Sequence, residues 1–219
     1  MTVRMTTFEN RAEWLKGRRG LIGGSDAAAV IGLNPYMTNQ ELWEIKTGRR
    51  KQENISDKPY VQYGIQAENH LRSLFALDYP QYIVHYTEHN LWTNRKYPFA
   101  HASLDGWLED PSTGRKGILE IKTTEILRSM QKEKWKDQIP DNYYLQVIHY
   151  LMVTEFDFVI LKAQLKTVDH CGTIWLSTRH YTIERTEVED DIKCLLEAEK
   201  RFSEAITKDE RPALILPEL

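Results

Sequence analysis

Apolar and polar positions alternate along this chain in a way that predicts short strands set between longer helices. In residues 99–124, FAHASLDGWLEDPSTGRKGILEIKTT, the apolar residues gather in FAHASLDGWLE and GILEIK. DPSTGRK between them supplies Pro, Ser and Gly to reverse the chain, so the stretch reads as a hairpin. On its second strand Glu120 and Lys122 are two apart and leave one face, while Ile121 points the other way toward a core. Asp105 stands just before Gly106 on the first strand, where hairpin pairing carries its carboxylate toward Glu120.

Upstream, Ser25 reads as the N-cap of a short helix through Ala27 and Ile31, with Gly32 as its stop. Thr38-x-x-Glu41 is a capping box that opens a second helix ending at Gly48. A longer helix covers 59–77. At about 100° per residue, Val61, Gly64, Ile65, Leu71 and Phe75 fall on one face, with Glu68 in its middle. Strands are expected near 82–86 and 90–93. Beyond Lys122 the chain reads as helical and basic from Thr124 to Asp137. Pro140-Asp141 then opens a helix, NYYLQVIHYLMVT, apolar nearly all round and therefore buried. On it Gln146 shares a face with Tyr143, Tyr150 and Val153. A strand pair at 156–165 and 173–185 and an amphipathic helix at 187–206 complete the chain. With no repeat or linker, residues 1–219 read as one domain. The order of elements predicts an α/β fold, a mixed central β-sheet flanked by helices on both faces.

Composition narrows the function classes. The 219 residues are 41% hydrophobic and 28% charged, as in an ordinary soluble globular protein. A net charge of −3 means that any nucleic-acid binding must come from local basic clusters. Cys171 and Cys194, without CxxC spacing, argue against zinc, an iron–sulfur cluster or a disulfide framework and fit a reducing cytoplasm. No apolar run approaches membrane-spanning length, and MTVRMTTFENRAEW has no signal-peptide core, so no membrane association is expected.

Within this frame several residues carry candidate chemistry. Asp105 and Glu120 with the Lys122 amine are either a wet strand face or a hard-cation site of the kind that cleaves phosphodiesters. Glu68, centred in an apolar stripe, must be paired, with Arg72 as a ready partner, or bound to a metal. Arg18 and Arg19 just before Ser25 are either solvated beside a plain cap or part of a phosphate site at the helix start. A buried Gln146 needs hydrogen-bond partners from structure or from substrate. Lys46, Arg49, Arg50 and Lys51 form a basic loop, either solvated or resting on a DNA backbone.

Five segments in order, WLKGRRGLIGGSD, YGIQAENHLRSLF, HASLDGWL, LEIKTT and YYLQVIHYLMVT, resemble the phage lambda exonuclease or YqaJ-type viral recombinase family of the PD-(D/E)XK nuclease superfamily. They run from about Trp14 to Thr154. One departure is that Leu104 replaces the proline of the superfamily's name, while the acid is kept. The resemblance implies a restriction-endonuclease-like fold with Asp105 and Glu120 as metal-binding carboxylates. It adds the Ile121 backbone carbonyl as a further ligand, Lys122 as the catalytic lysine and Glu68 as an additional helix carboxylate of the site. It also implies a 5′-phosphate pocket formed by Arg18, Ser25, Ser103, Arg128 and Gln146. The implied activity is an Mg²⁺-dependent 5′→3′ exonuclease on double-stranded DNA ends, with Mn²⁺ substituting, which releases mononucleotides and leaves 3′ overhangs. Implied with it are a trimeric ring, a phage single-strand annealing protein as partner and a bacterial host cytoplasm. The alternatives are a structure-specific or restriction-like endonuclease of the same superfamily and a non-catalytic DNA-end-binding protein.

Overall fold

The computed structural model describes residues 2–127 and 129–216. Its strands form two sheets. The first joins β1 (Val3–Thr7), β4 (Asn90–Asn94), β5 (Tyr97–Ala102) and β2 (Ile22–Gly23) in the order β1-β4-β5-β2. The second joins β3 (Ile83–His85), β6 (Gly106–Glu109), β7 (Lys116–Glu125), β8 (Phe158–Val168) and β9 (Ile174–Glu184) in the order β3-β6-β7-β8-β9. This second sheet is mixed, because β7 pairs parallel to β8 and all its other pairs are antiparallel.

The helices are α1 (Arg11–Gly17), α2 (Gly24–Val30), α3 (Asn39–Lys46), α4 (Pro59–Asp78), α5 (Ser129–Glu133), α6 (Asp141–Thr154) and α7 (Glu189–Thr207). Strand alternation distributes the five-stranded sheet between two of them. Leu119, Ile121 and Ile160 face α4, where they bury Leu71 and Phe75. Ile118, Val159, Leu161 and Ala163 face the other way, into the larger core with Leu145, Ile148 and Met152 of α6. Helix α6 is therefore buried between the sheet on one side and α2, α7 and the four-stranded sheet on the other. All its residues from Leu145 to Thr154 are buried. The expected mixed sheet with helices on both faces is present, and a second sheet stands beside it. No helix among the described residues is long and apolar enough to cross a membrane.

The structure corrects several local expectations. The first strand of the central hairpin is not continuous: its residues belong to β5 in one sheet and β6 in the other, with 103–105 as the crossover. Strand β7 runs to Glu125 because β8 pairs with it residue by residue, ending with Glu125 opposite Lys166, so helix begins only at Ser129. Ser25 lies inside α2. The cap is Gly23, whose N–H donates to Asp26 Oδ2 at 2.8 Å. On α4 the face toward the sheet carries Glu68, Leu71 and Phe75, and Ile65 stands just outside it, 54% exposed. Strands β1 and β2 and helix α1 were too short to show in the apolar pattern.

Candidate active site

The site is built around the crossover between the sheets. Ala102 still pairs with Trp92 of β4, and Gly106 already pairs with Leu119 of β7. Leu104 between them is 2% exposed and anchors the crossover in the larger core. Its neighbours Ser103 and Asp105 face a shared cavity. Asp105 Oδ2 accepts the Ile121 N–H at 2.8 Å, which fixes the carboxyl against the edge of β7.

On either side of Ile121, strand geometry sends Glu120 and Lys122 to the α6 side. Glu120 is 1% exposed, and its Oε1 receives Lys122 Nζ at 2.6 Å and Gln146 Nε2 at 2.8 Å. Gln146 Nε2 also reaches the Tyr150 hydroxyl at 2.9 Å, so α6 contributes a paired contact one turn apart. Glu68 of α4 joins from the other face. Its Oε1 pairs with Arg72 at 2.9 Å, and Arg72 also donates to the Asp105 carbonyl. The pairing expected for a buried Glu68 is thus present, and it ties Glu68 to the crossover.

The electrostatics are those of carboxylates held closer than they would choose. Burial pushes Glu120 up to about 8; the Asp105 charge adds to this, against Lys122. Burial likewise raises Asp105, with Lys122 and the Ile121 N–H opposing it. Burial raises Glu68, and the charge of Asp105 raises it further. Burial works against the Lys122 ammonium, but the Glu120 and Asp105 carboxylates more than offset it, so its pKa stands above the ordinary lysine value.

These residues fit a divalent cation. Glu120 Oε2 is buried with no hydrogen-bond donor among the described residues. The available donors are all oxygen, and three carboxyls face only Lys122 and Arg72. Among the described residues no group of three or more His, Cys, Asp or Glu side chains is assembled to hold a metal unaided. Mg²⁺ takes one or two carboxylates and completes its shell with water and substrate phosphate, a demand that the oxygen donors present can meet. Asp105, Glu120 and the Ile121 carbonyl would hold it, with Glu68 beside them.

Of the residues the resemblance assigned to a phosphate pocket, Arg18, Ser25, Ser103 and Gln146 line one open cavity of about 340 Å³, together with Asp105 and Glu68. Arg128 lies outside the described residues. Ser103 Oγ is buried there without a hydrogen-bond partner among the described residues. Arg18 lies at the end of α1 with its guanidinium over the Trp14 ring, 4.1 Å from the centroid, and no carboxylate among the described residues pairs with it. By contrast the basic loop is engaged internally: Lys46 pairs with Asp26 at 2.6 Å, Arg49 with Asp209 at 2.7 Å, and Arg50 with Glu41 and Glu44. Trp14 and Asn90, which also line the cavity, were not singled out from sequence. Trp14 opens the first of the resembling segments but carries no chemistry of its own to mark it, and an Asn at a strand start gives no pattern to find.

The fold is one that solved alkaline exonucleases share. The structure superposes on the alkaline exonuclease LHK-Exo of Laribacter hongkongensis with a TM-score of 0.62 at 17% identity, covering 91% of this chain and 96% of that one. The same enzyme in complex with dAMP gives 0.60 at 20% identity, with the same coverage. A phage-related exonuclease from Haemophilus somnus 129PT gives 0.51 at 15% identity over 86% of this chain and 96% of that one. Residues 13–157 match the YqaJ-like viral recombinase domain, and the chain belongs to that family. Uncharacterized protein YqaJ of Bacillus subtilis (strain 168) is 35% identical over 150 residues, which is 66% of this chain and 42% of that protein's length.

Proposed function

We propose that the chain is a metal-dependent exodeoxyribonuclease that degrades duplex DNA ends 5′→3′, releasing mononucleotides and leaving 3′ overhangs for annealing-type recombination. One observation carries this reading: Asp105 and Glu68 line one cavity with Arg18, Ser25, Ser103 and Gln146, and Glu120, which pairs with Lys122, joins that cavity through its hydrogen bond from Gln146. The carboxylates and Lys122 can act on a phosphodiester, and Arg18, Ser25 and Ser103 can hold a terminal phosphate beside them. That a protein of the same fold binds dAMP, a deoxynucleoside monophosphate, supports the product assigned here.

The chain's own groups divide the work. Arg18 offers a planar fork of donors to phosphate, in ion-pair contact with no carboxylate among the described residues and stiffened by the indole beneath it. The Ser103 hydroxyl, buried without a hydrogen-bond partner among the described residues, donates once an anion arrives. Lys122 keeps its proton and places positive charge beside the reacting phosphate. Gln146 holds Glu120 in place while presenting its amide at the cavity wall. Bound Mg²⁺, or Mn²⁺ in its place, would lower the pKa of the attacking water and offset charge on phosphorus. A ring of copies around the duplex, a phage annealing protein as partner and the cytoplasm of a bacterial host belong to the same reading.

The test is digestion of linear duplex DNA labelled at one 5′ end, with and without a 5′-phosphate, in Mg²⁺, beside a closed circular control. Rapid release of mononucleotides from the phosphorylated linear DNA, with the circle intact, is expected. A cut circle would point to an endonuclease, and unaltered DNA after long incubation to a non-catalytic end binder.

A further inference from the structure

The crossover that presents Ser103 and Asp105 belongs to neither sheet, so the backbone groups of Leu104 have no strand partner within a ladder. An unpaired buried N–H and C=O would be costly. Asn90, 4% exposed at the first position of β4, meets both: its Oδ1 accepts the Leu104 N–H and its Nδ2 donates to the Leu104 carbonyl, each at 2.9 Å. The orientation of the amide is fixed by chemistry, since a backbone N–H can only donate and the side-chain oxygen must face it. The same Nδ2 donates to the Thr87 carbonyl at 2.9 Å, which holds the amide plane from a third side. One side chain thus stands in for a missing strand neighbour.

Asn90 also reaches the other half of the cavity. Its backbone carbonyl accepts the Trp14 Nε1–H at 3.0 Å, and Trp14 is the ring on which the Arg18 guanidinium lies. A single residue is therefore bonded, on one side, to the peptide between Ser103 and Asp105 and, on the other, to the platform beneath Arg18. We propose that Asn90 is a positioning residue that sets the separation between the phosphate-holding half of the cavity and its carboxylate half, and so the register of cleavage. The inference rests on the reading above, in which the cavity holds a DNA 5′ end. It assigns to Asn90 a role that a buried, satisfied asparagine would not otherwise have. A residue that only supports the core should change how much protein folds. A residue that sets spacing should change which bond is cut and how well the terminal phosphate is told from a hydroxyl.

The experiment compares the full chain with Asn90→Ala and Asn90→Asp on 5′-phosphorylated and 5′-hydroxyl linear duplexes in Mg²⁺, resolving products by length. Mn²⁺ binding is followed by electron paramagnetic resonance without DNA. Asn90→Asp keeps the acceptor for the Leu104 N–H but opposes the two carbonyls, so it carries the test if Asn90→Ala does not fold. The expected result is a fall in kcat on the order of tenfold to a hundredfold, with KM changed less. Dinucleotides should appear among the products, the preference for the phosphorylated end should shrink, and Mn²⁺ should bind several-fold more weakly. Mononucleotide products with an unchanged end preference and unchanged Mn²⁺ affinity would overturn the proposal, even if total activity fell with the folded fraction. If the unaltered chain leaves DNA ends intact, the exonuclease reading fails, and the Mn²⁺ titration alone then decides whether Asn90 positions Asp105.

Discussion

Two buried glutamates invite comparison. Glu120 and Glu199 are 1% and 0% exposed. Each gives one oxygen to a basic partner, Lys122 at 2.6 Å and His149 Nδ1 at 2.7 Å, and each leaves its other oxygen buried without a donor among the described residues. By burial and pairing alone they are the same device. Their surroundings differ. Glu120 faces a second carboxyl, Asp105, with Glu68 nearby, and its hydrogen-bond partner Gln146 lines an open cavity. Glu199 reaches from α7 into the core against α6, where His149 passes the contact on to the His101 carbonyl at 2.8 Å. Like charges forced together beside solvent are an arrangement that folding alone does not favour, whereas a carboxylate with its imidazole in an enclosed core secures one helix to another. Convergence of like charge, and not burial, separates the pair at the candidate site from the pair inside the core.

The contrast can be broken in four ways. Glu120→Gln should cost the largest factor, lowering cleavage on the order of a thousandfold while leaving the chain folded, as read by single-turnover digestion and circular dichroism. Wild-type turnover in that variant would remove Glu120 from the chemistry. Glu199→Ala should do the reverse. It strands His149 in the core and should cost about 3 kcal/mol of stability, read from the urea midpoint, while activity per folded molecule persists. A loss of specific activity at full folding would show that the two pairs are not distinct.

The third test uses pH. Between the ordinary value for Glu, 4.5, and about 8, the folded protein keeps a proton on Glu120 that the unfolded chain has released. Metal-free stability should therefore fall as pH rises through that window. Glu120→Gln should flatten the decline, and Mg²⁺ should restore most stability at its upper end, where cation and proton compete for the same oxygens. A slope unchanged in Glu120→Gln would place its source elsewhere. The smallest effect is expected farther from the pair: Arg18→Ala should reduce the preference for 5′-phosphorylated ends about tenfold, with cleavage of 5′-hydroxyl ends largely kept. If the preference survives, the phosphate is held by other groups.

What the sequence revealed follows the periods of its elements. Glu120 and Lys122 were legible because a strand repeats every two residues, and Asp105 because the hairpin register is short. Gln146 could be placed on a buried face for the same kind of reason, a helix apolar nearly all round. The sheet switch at 103–105 was not legible, since apolar residues recur among polar ones all along FAHASLDGWLE and a change of sheet leaves no mark in that pattern. Glu68 and Glu199 show the limit from the other side. Glu199 shares a face of α7 with the buried Ile192, Leu195 and Phe202, much as Glu68 shares one of α4 with Leu71 and Phe75. The same helical signature marks a residue of the site in one case and a core contact in the other, and only the three-dimensional company of each tells them apart. Asn90 was silent because its importance lies in bonding a backbone that is distant in sequence.

The crossover has a consequence for how this molecule fails. Since 103–105 joins the two sheets, neither can open while the other keeps the site intact, and no partly melted form retains an assembled cavity. Heat or denaturant should thus take the molecule from competent to inert in a single step. A half-folded copy would carry no assembled site.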